Sequence, residues 1–163
     1  MLGGDALCRE ALRDRLKREA LPSQFLHAPH DLLLDDVRQQ PLTGLVQGGA
    51  KNDPAKSFPP IAHEPTTQTG LSHKDGAVSM ARYAPGTAGS EFFICVGDLS
   101  SLDADPKQSG DNLGFAVFGH VVSGMDVVKA ILTAPVSATK GEAEGMKGQM
   151  LDPEIAIVSA RRV

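Results

Sequence analysis

The residue types that most often do chemistry are sparse in this chain of 163 residues. His27 and His30 stand three apart, and His63 directly precedes Glu64. Neither spacing matches a recognised zinc set, and Pro29 discourages a continuous helix that would align the first pair. These histidines read as solvated or turn residues. Cys8 and Cys95 are too few for a disulfide framework, and Cys95, inside the apolar run FFICV, reads as a small buried hydrophobe. The 17 glycines form neither a phosphate-cradling Gly-X-X-X-X-Gly-Lys loop nor a dinucleotide pattern; they sit in turns. What remains is mostly apolar: with no Trp, a core must rest on Val, Leu, Ile, Met and six Phe, and by pattern alone such residues favour a core. One detail leaves a binding surface open. In GSEFFICVGD, residues 89–98, adjacent Phe92 and Phe93 must point to opposite faces of a strand. If one ring fills the core, the other faces out.

The elements that would position these side chains divide near residue 40. Residues 5–20, DALCREALRDRLKREA, read as a helix with Asp5 as N-cap, an apolar stripe through Cys8, Leu12, Leu16 and Ala20, and an Asp14–Arg18 pair. Pro22 ends that pattern. From residue 41, short strand-like runs alternate with turn clusters: GLVQGG, GAVSMAR, EFFICV, FAVFGHVV and, at the end, EIAIVSARRV, separated by KNDP, KDG, APGTAGS and DADPKQSGDN. Such punctuation predicts an all-β barrel or sandwich. One helix interrupts it, SGMDVVKAILTA, with Met125, Val128 and Leu132 on one stripe. Two segments are thus expected: an atypical helical segment over 1–40 and a β domain over 41–163.

Composition narrows the function classes. A formal charge of −4 argues against a dedicated nucleic-acid binder, and the basic stretch Arg9–Arg18 is interleaved with acids, as on a solvated helix face. No run approaches the roughly 18–20 apolar residues that span a bilayer, and no secretory h-region is visible at the N-terminus. A cytoplasmic address is the expectation, with a periplasmic one open.

Four stretches, in order, carry a resemblance: GLVQGG (44–49), GAVSMARYAPGTAGSEFFICVGD (76–98), FAVFGHVVSGMDVVKAI (115–131) and LDPEIAIVSARRV (151–163). Together they resemble the cyclophilin family of peptidyl-prolyl cis–trans isomerases in its bacterial style. The resemblance implies a mainly β fold: an eight-stranded antiparallel barrel with helical caps, here incomplete to the extent that its N-terminal strands are not recognisable. It implies X–Pro isomerisation without cofactor or metal, acting on proline-containing peptides and folding proteins, with a monomer expected and self-association as the outcome of an incomplete barrel. By the same resemblance, Gln47 would hydrogen-bond substrate backbone. Met80 and Phe93 would wall the proline pocket, with Phe93 facing the groove and Phe92 the core, Leu102 and Phe115 as further walls, and Ala81, Arg82 and Tyr83 pairing with the bound peptide.

Three departures qualify the resemblance. Glu91 stands where many relatives carry glutamine, and an ionised carboxylate accepts hydrogen bonds without donating them. Ser101 stands where some members have tryptophan, so the resemblance does not imply tight binding of cyclosporin-class inhibitors. Residues 1–40 show no strand pair and no Phe-X-Arg segment, leaving Arg38 of DDVRQQ as the candidate for the catalytic cation. The abrupt switch near Gln40 suggests a different origin for residues 1–38. Two readings therefore stand: an active prolyl isomerase, or a proline-peptide binding module, a chaperone-like remnant without the catalytic arginine.

Overall fold

The computed structural model describes residues 42–161, apart from 51, 52, 54, 108, 143 and 144. The helix expected over 5–20, the segment 1–40 and Arg38 lie outside the described residues. Four strands form one antiparallel sheet: β1 (Gly44–Gly48), β2 (Ala77–Met80), β3 (Phe92–Val96) and β4 (Ala116–His120), in the order β1-β3-β2-β4. Each coincides with a run of apolar and β-branched residues bounded by glycine, proline and aspartate, so the strands arise where alternation and turn chemistry agree. A single helical turn, α1 (Thr66–Thr69), precedes β2, and a 3-10 turn (Ser100–Leu102) follows β3. The expected amphipathic helix is present as α2 (Met125–Leu132), which buries Val128.

The mainly β expectation holds, with an antiparallel sheet and few helices. The sheet is not closed, in keeping with the expected incomplete barrel: among the described residues it has four strands and is open. The last expected strand, EIAIVSARRV, is likewise not formed over its described part. Ile155, Ile157 and Val158 are 53%, 58% and 95% exposed. Alternation makes a segment fit for a sheet, but a strand exists only when a neighbour completes its ladder.

Cross-strand register sorts the side chains onto two faces. Gln47 pairs with Phe93, Phe93 with Ser79, and Ser79 with Val117, so one row crosses all four strands on one face. The connection from β3 to β4 folds over this face. It buries Leu99 and Leu102 in a cluster with Ala77, Phe93, Cys95 and Val117. The other face carries Phe92, Ile94, Val78 and Met80, all half-buried. Its far end is covered by α2, whose Leu132 lies so close to Gly44 that a Cβ there would come within 3.1 Å of Leu132 Cδ1. Gly114 closes the covering connection. It has φ +58, and a Cβ would meet Asp103 C at 2.5 Å and Ala104 N at 2.6 Å, so only glycine lets the two ends of the loop touch.

Candidate functional site

Phe93 is the centre of the packed face. It is 2% exposed, with the Phe115 ring edge-on at 5.5 Å and 86° and the His73 ring stacked at 5.8 Å and 14°. Half-buried Leu45, Ala81 and Phe115 pack against the cluster from its accessible side. Gln47 ends the row, exposed and paired in register with Phe93. The structure thus brings Gln47, Ala81, Phe93 and Phe115 to one apolar surface with a polar amide at its edge.

The assignment of Phe92 to the core and Phe93 to the outside is reversed in burial. Phe93 lies inside the cluster, while Phe92 is half-buried on the opposite face. The cause is the β3–β4 connection, which buries Phe93's face; alternation fixes only that the two rings diverge. Met80 pairs with Phe92 and shares its face, so it does not join Phe93. Leu102, 1% exposed, backs the aromatic floor from within. Leu45, not Met80, packs against the Phe93 cluster. Its position two residues before Gln47 puts it on Gln47's face, a signal already present in the alternation.

Glu91 lies at the end of the ladder. Its carbonyl accepts from Ala81 N–H at 2.9 Å, which carries the β2–β3 pairing one step past Met80. Its carboxylate stands against Gly49, where a Cβ would collide with Glu91 Cα at 2.8 Å. The second glycine of Gln-Gly-Gly therefore admits Glu91 to the rim.

Behind the floor, three polar side chains form a chain that sequence reading missed. His73, fully buried, meets the Asp103 carboxylate through Nδ1 at 2.5 Å and Ser79 Oγ through Nε2 at 2.9 Å. Asp103 also accepts from His73 N–H at 3.0 Å and from the Ser72 hydroxyl. Burial pushes the His73 pKa below its ordinary value, against the opposing pull of Asp103. The neutral imidazole then donates from Nδ1 to the carboxylate and accepts the Ser79 O–H at Nε2. An Asp–His–Ser order can activate a hydroxyl nucleophile, but Ser79 is 0% exposed. No substrate carbonyl reaches it, and the chain supports the Phe93 floor instead.

Arg82 is also held by the structure. Its side chain is 4% exposed. It donates through Nη1 and Nη2 to Asp111 at 2.8 and 2.9 Å, and through Nε to Gly114 O at 2.9 Å, with Nη2 sharing that carbonyl. Its Cζ stands 5.4 Å from the centroid of Phe115. The bond from Arg82 holds the Asp111 carboxyl below the usual carboxylate range.

Cys95 is not a nucleophile. It is 0% exposed, and burial pushes its pKa up to about 12, so thiolate is scarce at neutral pH. In a Cys8→Ser background, Cys95 should resist a thiol reagent under native conditions and react promptly in denaturant. Native labelling at the unfolded rate would contradict its burial. Among the described residues no group of His, Cys, Asp and Glu is arranged to hold a metal ion, and no helix is long and apolar enough to cross a membrane.

Comparison with known proteins places these features in context. The family model for the cyclophilin type peptidyl-prolyl cis-trans isomerase/CLD matches residues 38–160. A peptidyl-prolyl cis-trans isomerase of Acinetobacter baylyi is 39% identical over 97 residues, covering 57% of this chain and 48% of the relative. Peptidyl-prolyl cis-trans isomerase A of Dickeya dadantii is 38% identical over 91 residues, 53% of this chain and 45% of the relative. Peptidyl-prolyl cis-trans isomerase B of Escherichia coli is 36% identical over 115 residues, 66% and 62% of the two chains. The matches thus span 45–62% of the length of these relatives.

Proposed function

The chain belongs to the cyclophilin-type peptidyl-prolyl cis–trans isomerase family, and from that premise we propose that it accelerates rotation about X–Pro bonds in peptides and folding proteins. The observation that carries this reading is the row in which exposed Gln47 pairs with buried Phe93, with half-buried Leu45, Ala81 and Phe115 alongside. The amide barrier of about 18–20 kcal/mol comes from delocalisation of the nitrogen lone pair into the carbonyl. No nucleophile, metal or cofactor is needed to lower it. A catalyst must hold the proline ring, grip the flanking backbone and favour the twisted state, in which the nitrogen is more basic. In this reading, Phe93, Phe115, Leu45 and Ala81 form the apolar seat for the ring. The Gln47 amide and the Ala81–Tyr83 backbone hold the peptide, and Glu91 supplies an acceptor at the rim. Arg38, at the start of the family match, is proposed as the cation that stabilises the twisted amide.

A second reading is favoured by one observation. Arg82, the arginine beside the aromatic surface, is committed to Asp111 and Gly114 rather than presented to a ligand. If Arg38 does not reach the site, the chain is a proline-peptide binding module. We further propose one cyclophilin-like domain over 41–163 and a cytoplasmic address.

An exchange assay on an X–Pro peptide separates the readings. The full chain should accelerate cis–trans exchange. Gln47→Ala, a change at an exposed position, should lower kcat/KM by about tenfold, the equivalent of one hydrogen bond. Arg38→Ala should reduce kcat while peptide binding persists. Binding with no acceleration in the wild type would replace the enzyme with the module, and activity unaffected by Arg38→Ala would remove that residue from the site.

A further inference from the structure

We propose that the Arg82 side chain is a positioning residue: clamped by Asp111 and Gly114, it fixes the Phe115 ring edge-on to Phe93 and so sets the shape of the surface that accepts proline. The inference deepens the peptide-binding reading above and rests on it. The loop 111–114 ends directly at Phe115, and Arg82 holds it at both ends. Asp111 takes two parallel bonds from the guanidinium, and the Gly114 carbonyl takes Nε at 2.9 Å. Within the loop, Asp111 Oδ1 also accepts from Leu113 N–H at 3.0 Å. His63 Nε2 meets the Leu113 carbonyl at 3.1 Å, and Phe115 N–H reaches Leu102 O at 3.0 Å.

The backbone just before Phe115 is therefore pinned, and the guanidinium then covers one side of its ring at 5.4 Å. A cation over an aromatic face is attracted by the ring quadrupole. The ring's remaining freedom is limited by Phe93 at 5.5 Å and by His73, edge-on at 6.5 Å. The geometry requires arginine. A planar fork can bond a carboxylate twice, reach a carbonyl with Nε and still lie over a ring, whereas a lysine ammonium is a point donor without that plane. Because the clamp acts through Phe115 and not on the peptide bond, it sets affinity for the proline ring and leaves the twisted-state contacts to other groups.

The test compares Arg82→Gln, Arg82→Lys and Asp111→Asn with the wild type, with Lys147→Gln as a charge deletion elsewhere. Two readouts are taken: aromatic NMR contacts between Phe93 and Phe115, and the KM and kcat of X–Pro exchange with the directly measured peptide Kd. Arg82→Gln and Asp111→Asn should each weaken the Phe93–Phe115 contact and raise Kd and KM several-fold with kcat little changed. Their double variant should be no worse than the worse single, as for two halves of one clamp. Arg82→Lys should restore little, and Lys147→Gln should match the wild type. A merely structural role would lower thermal stability without altering the ring contact or splitting KM from kcat. Unchanged ring contacts in Arg82→Gln, or altered contacts with unchanged Kd, would overturn the proposal. If the wild type neither binds nor isomerises the peptide, the functional reading fails by itself, and the ring contacts still decide whether Arg82 positions Phe115.

Discussion

Phe93→Ala is expected to destabilise the protein by about 3–5 kcal/mol, the usual cost of truncating a buried phenylalanine, and to abolish detectable X–Pro peptide binding. The ring is 2% exposed and lies between Phe115 and His73 while touching the aliphatic cluster. Its removal forfeits the transfer energy of the ring and leaves a cavity that the flanking strands cannot close. Both neighbours in the row, Gln47 on β1 and Ser79 on β2, are fixed by register on either side of it. Phe92→Ala should cost less, because Phe92 is half-buried on the other face. Urea unfolding of the two variants checks this ordering. A larger loss for Phe92→Ala would restore Phe92 as the main core ring. Phe93→Leu, which keeps much of the volume, should recover stability more fully than peptide affinity, since a flat ring is lost.

The contrast between these two rings shows how far the sequence could be read. The four strands were legible because period-two alternation meets glycine, proline and aspartate at each end, and both signals are local. Gln47 and Phe93, named together from the resemblance, stand side by side in register. Which of two adjacent phenylalanines is buried was not legible. That depends on the connection from residue 97 to 115 folding over one face, a non-local event with no periodic signature. The same limit applies to Met80, expected beside Phe93 from the resemblance, whose register partner is Phe92. His73 was missed for a related reason. In LSHKDG it has the surroundings of a solvated turn histidine, and its partner Asp103 is thirty positions away. The final strand failed in the opposite sense: its pattern is strand-like, yet over its described part it makes no ladder.

The buried histidine carries the second large effect. His73→Leu removes the acceptor for the Ser79 hydroxyl, which is 0% exposed and bonds His73 Nε2 at 2.9 Å. It also removes the Nδ1 donor facing Asp103, although that carboxylate keeps the Ser72 hydroxyl and the backbone N–H of residue 73. The expected cost is about 2–3 kcal/mol at neutral pH, mostly the desolvation of an orphaned hydroxyl. His73→Leu combined with Ser79→Ala should recover part of it, because a hydroxyl that is absent needs no partner.

The pH dependence gives a separate signature. The folded His73 pKa lies below the unfolded value of about 6.5. Between those two values the unfolded chain binds a proton that the native state does not. Wild-type stability is therefore intact above about pH 6.5 and falls as the pH drops toward the folded pKa. Asp111 acts in a lower window: its folded pKa is depressed by Arg82, so its contribution persists above the unfolded value of about 3.9 and is lost below it. Denaturant midpoints between pH 7.5 and 4.5 should consequently decline for the wild type and be flatter for His73→Leu. Parallel curves would mean that His73 takes up its proton equally in both states, and the neutral imidazole between Asp103 and Ser79 would have to be abandoned.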